Sequence, residues 1–185
     1  MNTKRSIHVG EKNIVLIGFM GVGKTTIGKL VANKLSREFV DIDQEIERDF
    51  QMSIPEMFTQ KGEAFFRKTE KEYIVHMCEH TEGKIVSLGG GSFQQEEIRE
   101  KCLEHCFVIF LDLTWENWKK RIDLLLENRP ILHNRSIEQV EQLFNERKSI
   151  YAHHHFRVET DNRSAEEVAD SIADALKQGG ELSQP

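Results

Sequence analysis

Short apolar runs alternate with longer stretches of helical spacing along most of the chain. Residues 13–17 (NIVLI) form a β-branched run that enters a glycine turn. Over 25–35 apolar side chains then recur at Ile27, Leu30, Val31 and Leu35, the spacing of one helix face. Further apolar runs at 39–40, 85–88, 107–111 and 156–158 are separated by helical patterns. Strands that recur with helices between them predict a parallel sheet covered by helices, because each parallel connection must cross back over a sheet face.

Two stretches depart from this rhythm. Residues 44–77 are helix-rich and too long for a simple crossover, and they break at Ser53-Ile54-Pro55, where Ser53 fits an N-cap and Glu56 completes a capping box. The segment at about 43–78 therefore reads as a helical substrate-binding insertion. Residues 127–135 (ENRPILHNR) interrupt the helical patterns of 115–126 and 137–150, which predicts a mobile polar loop, a lid over about 125–136. Residues 1–12 read as a flexible lead-in, 13–178 as one domain and 179–185 as a flexible tail.

Composition narrows the class. A chain of 185 residues suits one α/β domain, and 38% apolar with 30% charged residues is the balance of a soluble globular protein. No apolar run approaches the roughly 20 residues of a membrane span, and the first twelve residues lack the apolar stretch of a secretory signal, which points to the cytoplasm. A net charge of −6 argues against a nucleic-acid partner, so any anionic ligand must be attracted locally. Cys78, Cys102 and Cys106 lack paired spacing and read as reduced, buried, structural thiols. His153, His154 and His155 are consecutive and cannot all face one ion, so they read as structural or solvent-facing. Trp115 and Trp118 read as packing or partly exposed surface.

The strongest chemical signal is Gly18-Phe19-Met20-Gly21-Val22-Gly23-Lys24-Thr25, which fits GxxxxGK[ST] directly after a predicted strand and at the start of a predicted helix. Glycines let backbone N–H groups turn inward around phosphates, and the helix N-terminus adds partial positive charge. Lys24 is placed to reach the β- and γ-phosphates of a nucleotide, and the Thr25 hydroxyl to ligate Mg²⁺. No guanine-reading NKxD run is present, and the chain is short for a motor or transporter, which favours a compact kinase.

Three further patterns suit an acceptor. Asp41 and Asp43 lie at alternate positions, which would share one side of an extended chain; solvated turn aspartates fit that spacing equally well. Arg67 and Glu70 stand at i and i+3, where the glutamate can orient the guanidinium as a carboxylate receptor, although solvated charges have the same spacing. Gly89, Gly90 and Gly91 follow a buried-strand pattern, so they either let backbone amides approach a ligand at the sheet's carboxyl end or form a flexible turn.

Taken in order, GxxGxGKT, the DxD after the second strand, GExxFRxxE, the triple glycine and an Arg-Pro followed by RxxxY resemble shikimate kinase over residues 13–175. The resemblance implies a P-loop kinase of the nucleoside monophosphate kinase-like type that moves the ATP γ-phosphoryl group to the 3-hydroxyl of shikimate, as a monomer. It implies nucleotide contacts from Gly21, Val22, Gly23, Lys24, Thr25, Thr26 and Arg129, and Mg²⁺ at Thr25 and, through water, Asp41. It further implies that Arg121 and Arg163 flank the adenine. For the acceptor it implies Asp43 at the hydroxyls, Arg67 and Arg147 at the carboxylate, and Gly89, Gly90 and Gly91 along the ring. Lys24, Asp43 and Arg129 become the catalytic candidates. Gln51 stands at a turn where the family often has glycine, and Ser164-Ala165 where it often has proline. Related small-molecule kinases such as gluconate kinase or a nucleoside monophosphate kinase, and a nucleotide-binding regulatory protein without catalysis, remain the alternatives.

Overall fold

In the computed structural model, residues 9–121 and 135–178 are described. Strand β1 (Ile14–Ile17) is fully buried and forms the centre of a five-stranded, all-parallel sheet of order β2-β3-β1-β4-β5. Its neighbours are β3 (Ile85–Ser87) and β4 (Phe107–Asp112), with Ile14 in register with both Ile85 and Phe107. β2 (Phe39–Asp41) and β5 (Phe156–Glu159) are the edges. Because helices cover both faces, β1, β3 and β4 are buried along their whole length, which is why they read as unbroken apolar runs.

The helices among the described residues are α1 (Lys24–Leu35), α2 (Ile42–Phe50), α3 (Ile54–Lys61), α4 (Glu63–His80), α5 (Glu96–His105), α6 (Trp115–Lys119), α7 (Ile137–Tyr151) and α8 (Ala165–Lys177). Capping boxes start three of them, Ser53 with Glu56, Ser136 with Gln139 and Ser164 with Glu167. α1 packs on α8, and α4 packs on α2, α3 and α5. The chain lays β2 and β3 on one side of β1 and β4 and β5 on the other, which opens a crevice at the strands' carboxyl ends. No described helix is long and apolar enough to cross a membrane.

Two local expectations are corrected. Asp41 and Asp43 are not two positions of one strand. Asp41 ends β2 and caps α2, its side chain accepting from the Gln44 N–H, and Asp43 lies in the first helical turn, because an N-cap carboxylate there satisfies an otherwise orphaned helical donor. The helical pattern of 115–126 ends at Lys119 within the described residues, with Lys120 as C-cap. The lid at 125–136 lies outside the described residues apart from Arg135 and Ser136.

The minor sequence signals are structural. Cys78, Cys102 and Cys106 are free and buried, with Sγ atoms 3.7 Å apart for Cys78 and Cys102 and 3.6 Å for Cys78 and Cys106. Their mutual contacts and burial push the Cys78 and Cys106 thiols well up, which disfavours thiolate chemistry. The backbone N–H of His155 donates to the Val108 carbonyl at 2.9 Å, and its Nδ1 accepts the Val108 N–H at 2.9 Å. Trp118 is buried against Phe19 and Phe144, and its indole N–H donates to the Met20 carbonyl at 2.8 Å. That bond fixes the middle of the glycine loop from below.

Candidate active site

The loop between β1 and α1 turns on glycines with positive φ, 76° at Gly21 and 101° at Gly23, where a Cβ would strain the backbone. Gly23 caps α1 without a side-chain hydrogen bond, so the first helical N–H groups and the helix dipole are turned to the crevice. The Lys24 ammonium donates to the Gly18 carbonyl at 2.6 Å and the Phe19 carbonyl at 3.0 Å, which curls its side chain over the loop. The Thr25 hydroxyl donates to Asp41 Oδ2 at 2.8 Å. One hydroxyl and one carboxylate side by side are the hard oxygen ligands that Mg²⁺ prefers, so these two residues fit the ion.

Two cavities open along the carboxyl edge. The first, about 230 Å³, is lined by Gly21, Gly23, Lys24, Thr25, Thr26 and Asp41, among others. The second, about 600 Å³, lies under α3 and α4 and receives Arg67, Glu70, Gly91, Arg135 and Arg147. Met20, Asp43, Gly89 and Gly90 line both. A group bound in one cavity therefore meets a group bound in the other at Asp43.

The second cavity is built to receive an anion. Glu70 is 1% exposed, and its carboxylate accepts from Arg67 Nη1 at 2.9 Å, from Gln95 at 3.0 Å and from the Ser92 hydroxyl. Arg67 is thus held on α4 by a saturated carboxylate, with Glu63 at 3.4 Å as a second, exposed partner. Arg147, from α7, is 5% exposed and has neither an ion pair nor a hydrogen bond among the described residues; its Nε is buried without a partner. Its guanidinium carbon stands 5.6 Å over the Phe19 ring, and burial holds its pKa below the usual arginine range, with Arg67 and Arg135 acting in the same direction. A buried cation in this state is stabilised by any carboxylate that enters.

Two of the three glycines make room for a functional side chain: a Cβ at Gly89 would lie 3.1 Å from Asp43 Oδ1, and one at Gly91 3.1 Å from Arg67 Nη2. At Gly90 the tight neighbour is the Met20 backbone N, 3.3 Å from a built Cβ, with Arg147 Nη1 in ordinary contact at 3.5 Å. The 3₁₀ turn that follows, Ser92–Gln94, brings Ser92 back to Glu70.

The structure thus gathers Lys24, Thr25, Asp41, Asp43, Arg67, Arg147 and the glycines at one crevice. Arg121 sits behind the loop, its Nη1 donating to the Gly21 carbonyl at 3.3 Å. Arg163 stands apart from both cavities, bonded to the carbonyls of Glu159 at 3.1 Å and Glu167 at 2.8 Å and to the Ser171 hydroxyl. Arg129 lies outside the described residues. Sequence reasoning missed Arg135 and Phe19 as parts of the second cavity and its surroundings. Arg135 had no local partner to mark it, and Phe19 occupies an unspecified position of the loop motif.

A parallel sheet of this order, a phosphate loop opening its first helix, and an adjoining cation-lined cavity define a P-loop phosphotransferase of the nucleoside monophosphate kinase-like type. The family model described as shikimate kinase matches residues 20–177. A shikimate kinase of Bacillus licheniformis is 78% identical over 171 residues, which cover 92% of this chain and 97% of that one. One of Bacillus subtilis is 69% identical over 185 residues, the full length of both. Among solved structures, shikimate kinase from Acinetobacter baumannii in complex with shikimate superposes with a TM-score of 0.83 at 31% identity, covering 93% of this chain and 96% of that one. Shikimate kinase from Aquifex aeolicus gives 0.74 at 32% identity, covering 90% and 96%. The chain belongs to the shikimate kinase family.

Proposed function

We propose that the chain transfers the γ-phosphoryl group of ATP to the 3-hydroxyl of shikimate, giving shikimate 3-phosphate and ADP on the route to aromatic amino acids. The observation that carries the reading is the meeting of the two cavities at Asp43, with phosphate-binding groups on one side and Arg67 and Arg147, which has no ion pair among the described residues, on the other. A hydroxylated carboxylate fits that second cavity better than a nucleotide base does, since guanidinium groups are matched to carboxylates.

Phosphoryl transfer asks the protein mainly for alignment and charge neutralisation. Lys24 would leave the loop carbonyls for the β- and γ-phosphates, while the N–H groups at the start of α1 hold the remaining phosphate oxygens. Thr25 and Asp41 would hold Mg²⁺, which when bound with ATP neutralises phosphate charge. Arg67 and Arg147 fix the acceptor carboxylate, and this points the hydroxyl end of the ring at Asp43. Asp43 orients the attacking hydroxyl and accepts its proton on a carboxylate oxygen. Arg129 would close over the transferring phosphate and exclude water. In this reading the chain works as a monomer on ATP and shikimate in the cytoplasm.

ADP release from MgATP by the purified protein is the test, with shikimate, gluconate and a nucleoside monophosphate as parallel acceptors. Stimulation by shikimate alone is expected. Stimulation by another acceptor would keep the kinase and overturn its substrate, and ATP binding without turnover on any acceptor would favour a regulatory protein.

A further inference from the structure

Helix α7 reaches the Gly89–Gly91 turn at two points one turn apart. Arg147 stands beside Gly90, and the hydroxyl of Tyr151, at i+4, donates to the Gly90 carbonyl at 2.6 Å. Tyr151 is 2% exposed, and its ring packs against Phe110 at 5.4 Å between centroids. Burial pushes its phenol up to about 12, so the group remains a proton donor throughout the working pH range. The Gly90–Gly91 peptide is trans, so the Gly91 N–H points opposite to the Gly90 carbonyl, away from Tyr151. Among the described residues that N–H donates to no acceptor, while both glycines line the 600 Å³ cavity.

We propose that Tyr151 is a positioning residue for the acceptor: its hydroxyl locks the Gly90–Gly91 peptide with the Gly91 N–H turned to the substrate cavity, where it donates to a substrate oxygen. A peptide between two glycines has almost no side-chain constraint on its orientation, so a buried hydrogen bond to its carbonyl is what selects one face. Arg147 supplies charge to the cavity, and Tyr151, one turn on, supplies direction to a neutral donor. This role rests on the second cavity being the acceptor site.

Tyr151→Phe in the full chain removes the hydroxyl and keeps the ring against Phe110. The expected result is a shikimate KM raised about tenfold, the value of one buried hydrogen bond, with the ATP KM unchanged and the melting temperature lowered by only a few degrees, since the Gly90 carbonyl loses its buried donor. An unchanged shikimate KM, or equal increases in both KM values, would overturn the assignment. A second arm does not depend on turnover. In ¹H–¹⁵N spectra of the unliganded protein the Gly91 cross-peak should move or broaden in Tyr151→Phe, with the loop of Lys24 and Thr25 undisturbed; a Gly91 cross-peak unchanged in position and width also overturns it. Should the unmodified protein not phosphorylate shikimate, the substrate reading fails by itself and the Gly91 resonance still decides the role of Tyr151.

Discussion

Alanine in place of Gly91 would set a methyl carbon 3.1 Å and 3.2 Å from Arg67 Nη2 and Nη1 and 3.4 Å from Cζ. Contacts below 3.4 Å require the neighbour to give by a few tenths of an ångström. Arg67 is badly placed to give, because its Nη1 is tied at 2.9 Å to Glu70, which is itself 1% exposed and held by Ser92 and Gln95. The backbone raises no objection, since φ is −105° and ψ −12° at Gly91, a conformation open to any residue. Folding should therefore gain about 0.4–1 kcal/mol from the stiffer unfolded chain, offset in part by the tight contact. Acceptor binding should lose one well-aligned charge-assisted hydrogen bond, about 1.5–3 kcal/mol, equivalent to roughly a tenfold to hundredfold rise in acceptor KM. Steady-state kinetics with each substrate varied in turn, beside a thermal melt, reads both quantities. A melting temperature near that of the parent with the acceptor KM raised and the ATP KM unmoved is the expected signature. An acceptor KM within about twofold of the parent, or a KM increase accompanied by a large fall in melting temperature, would refute the reasoning.

Asp43→Asn keeps the shape at the junction of the cavities but removes the proton acceptor, and kcat should fall about 10²–10⁴-fold; near-normal turnover would sink the assignment. Gln51 ends α2 in the left-handed region, φ 50° and ψ 40°, so Gln51→Gly should raise stability by up to about 1 kcal/mol, seen as a higher denaturant midpoint with unchanged kinetics. His155 has its pKa held below the ordinary histidine value by burial first, and by Lys12 and His154 next. The fold therefore favours the neutral ring, whose Nδ1 accepts the Val108 N–H, and this contribution is complete above the unfolded value near 6.5 and lost as pH falls through the folded one. Melting temperature should decline on acidification below about pH 6.5, and the decline should be shallower in His155→Gln, whose amide oxygen accepts a hydrogen bond without titrating.

What could be read along the chain was local in sequence. The glycine loop before α1, the Ser53–Glu56 capping box and the Arg67–Glu70 pair each depend on residues within one or two helical turns, so spacing alone places their partners. Fully buried strands also announce themselves, because a sheet covered on both faces tolerates little except apolar side chains. The aspartate pair shows where such reading stops. Spacing treated Asp41 and Asp43 as an extended dipeptide, whereas the chain starts α2 at Ile42 so that Asp41 can cap it, and the two carboxylates reach the crevice from different elements. Asn13 is a second case. β1 begins one residue later, at Ile14, and the Asn13 side chain bonds across to Thr81, 2.9 Å from Nδ2, and to the Lys84 N–H, 2.9 Å from Oδ1, partners far away in sequence.

The sequence by itself determined a nucleotide-phosphate loop, a parallel α/β sheet and a family resemblance strong enough to name an acceptor. Only the tertiary structure decided that Arg147 is buried with no ion pair among the described residues, that Tyr151 holds Gly90 across 61 positions, that Trp118 holds Met20 across 98, and that Gly89 and Gly91 leave room for Asp43 and Arg67. These are contacts between distant segments. Nothing in the spacing of residues specifies them, because they exist only once burial in a common core has brought the carboxyl ends of the strands, α4 and α7 to the same crevice.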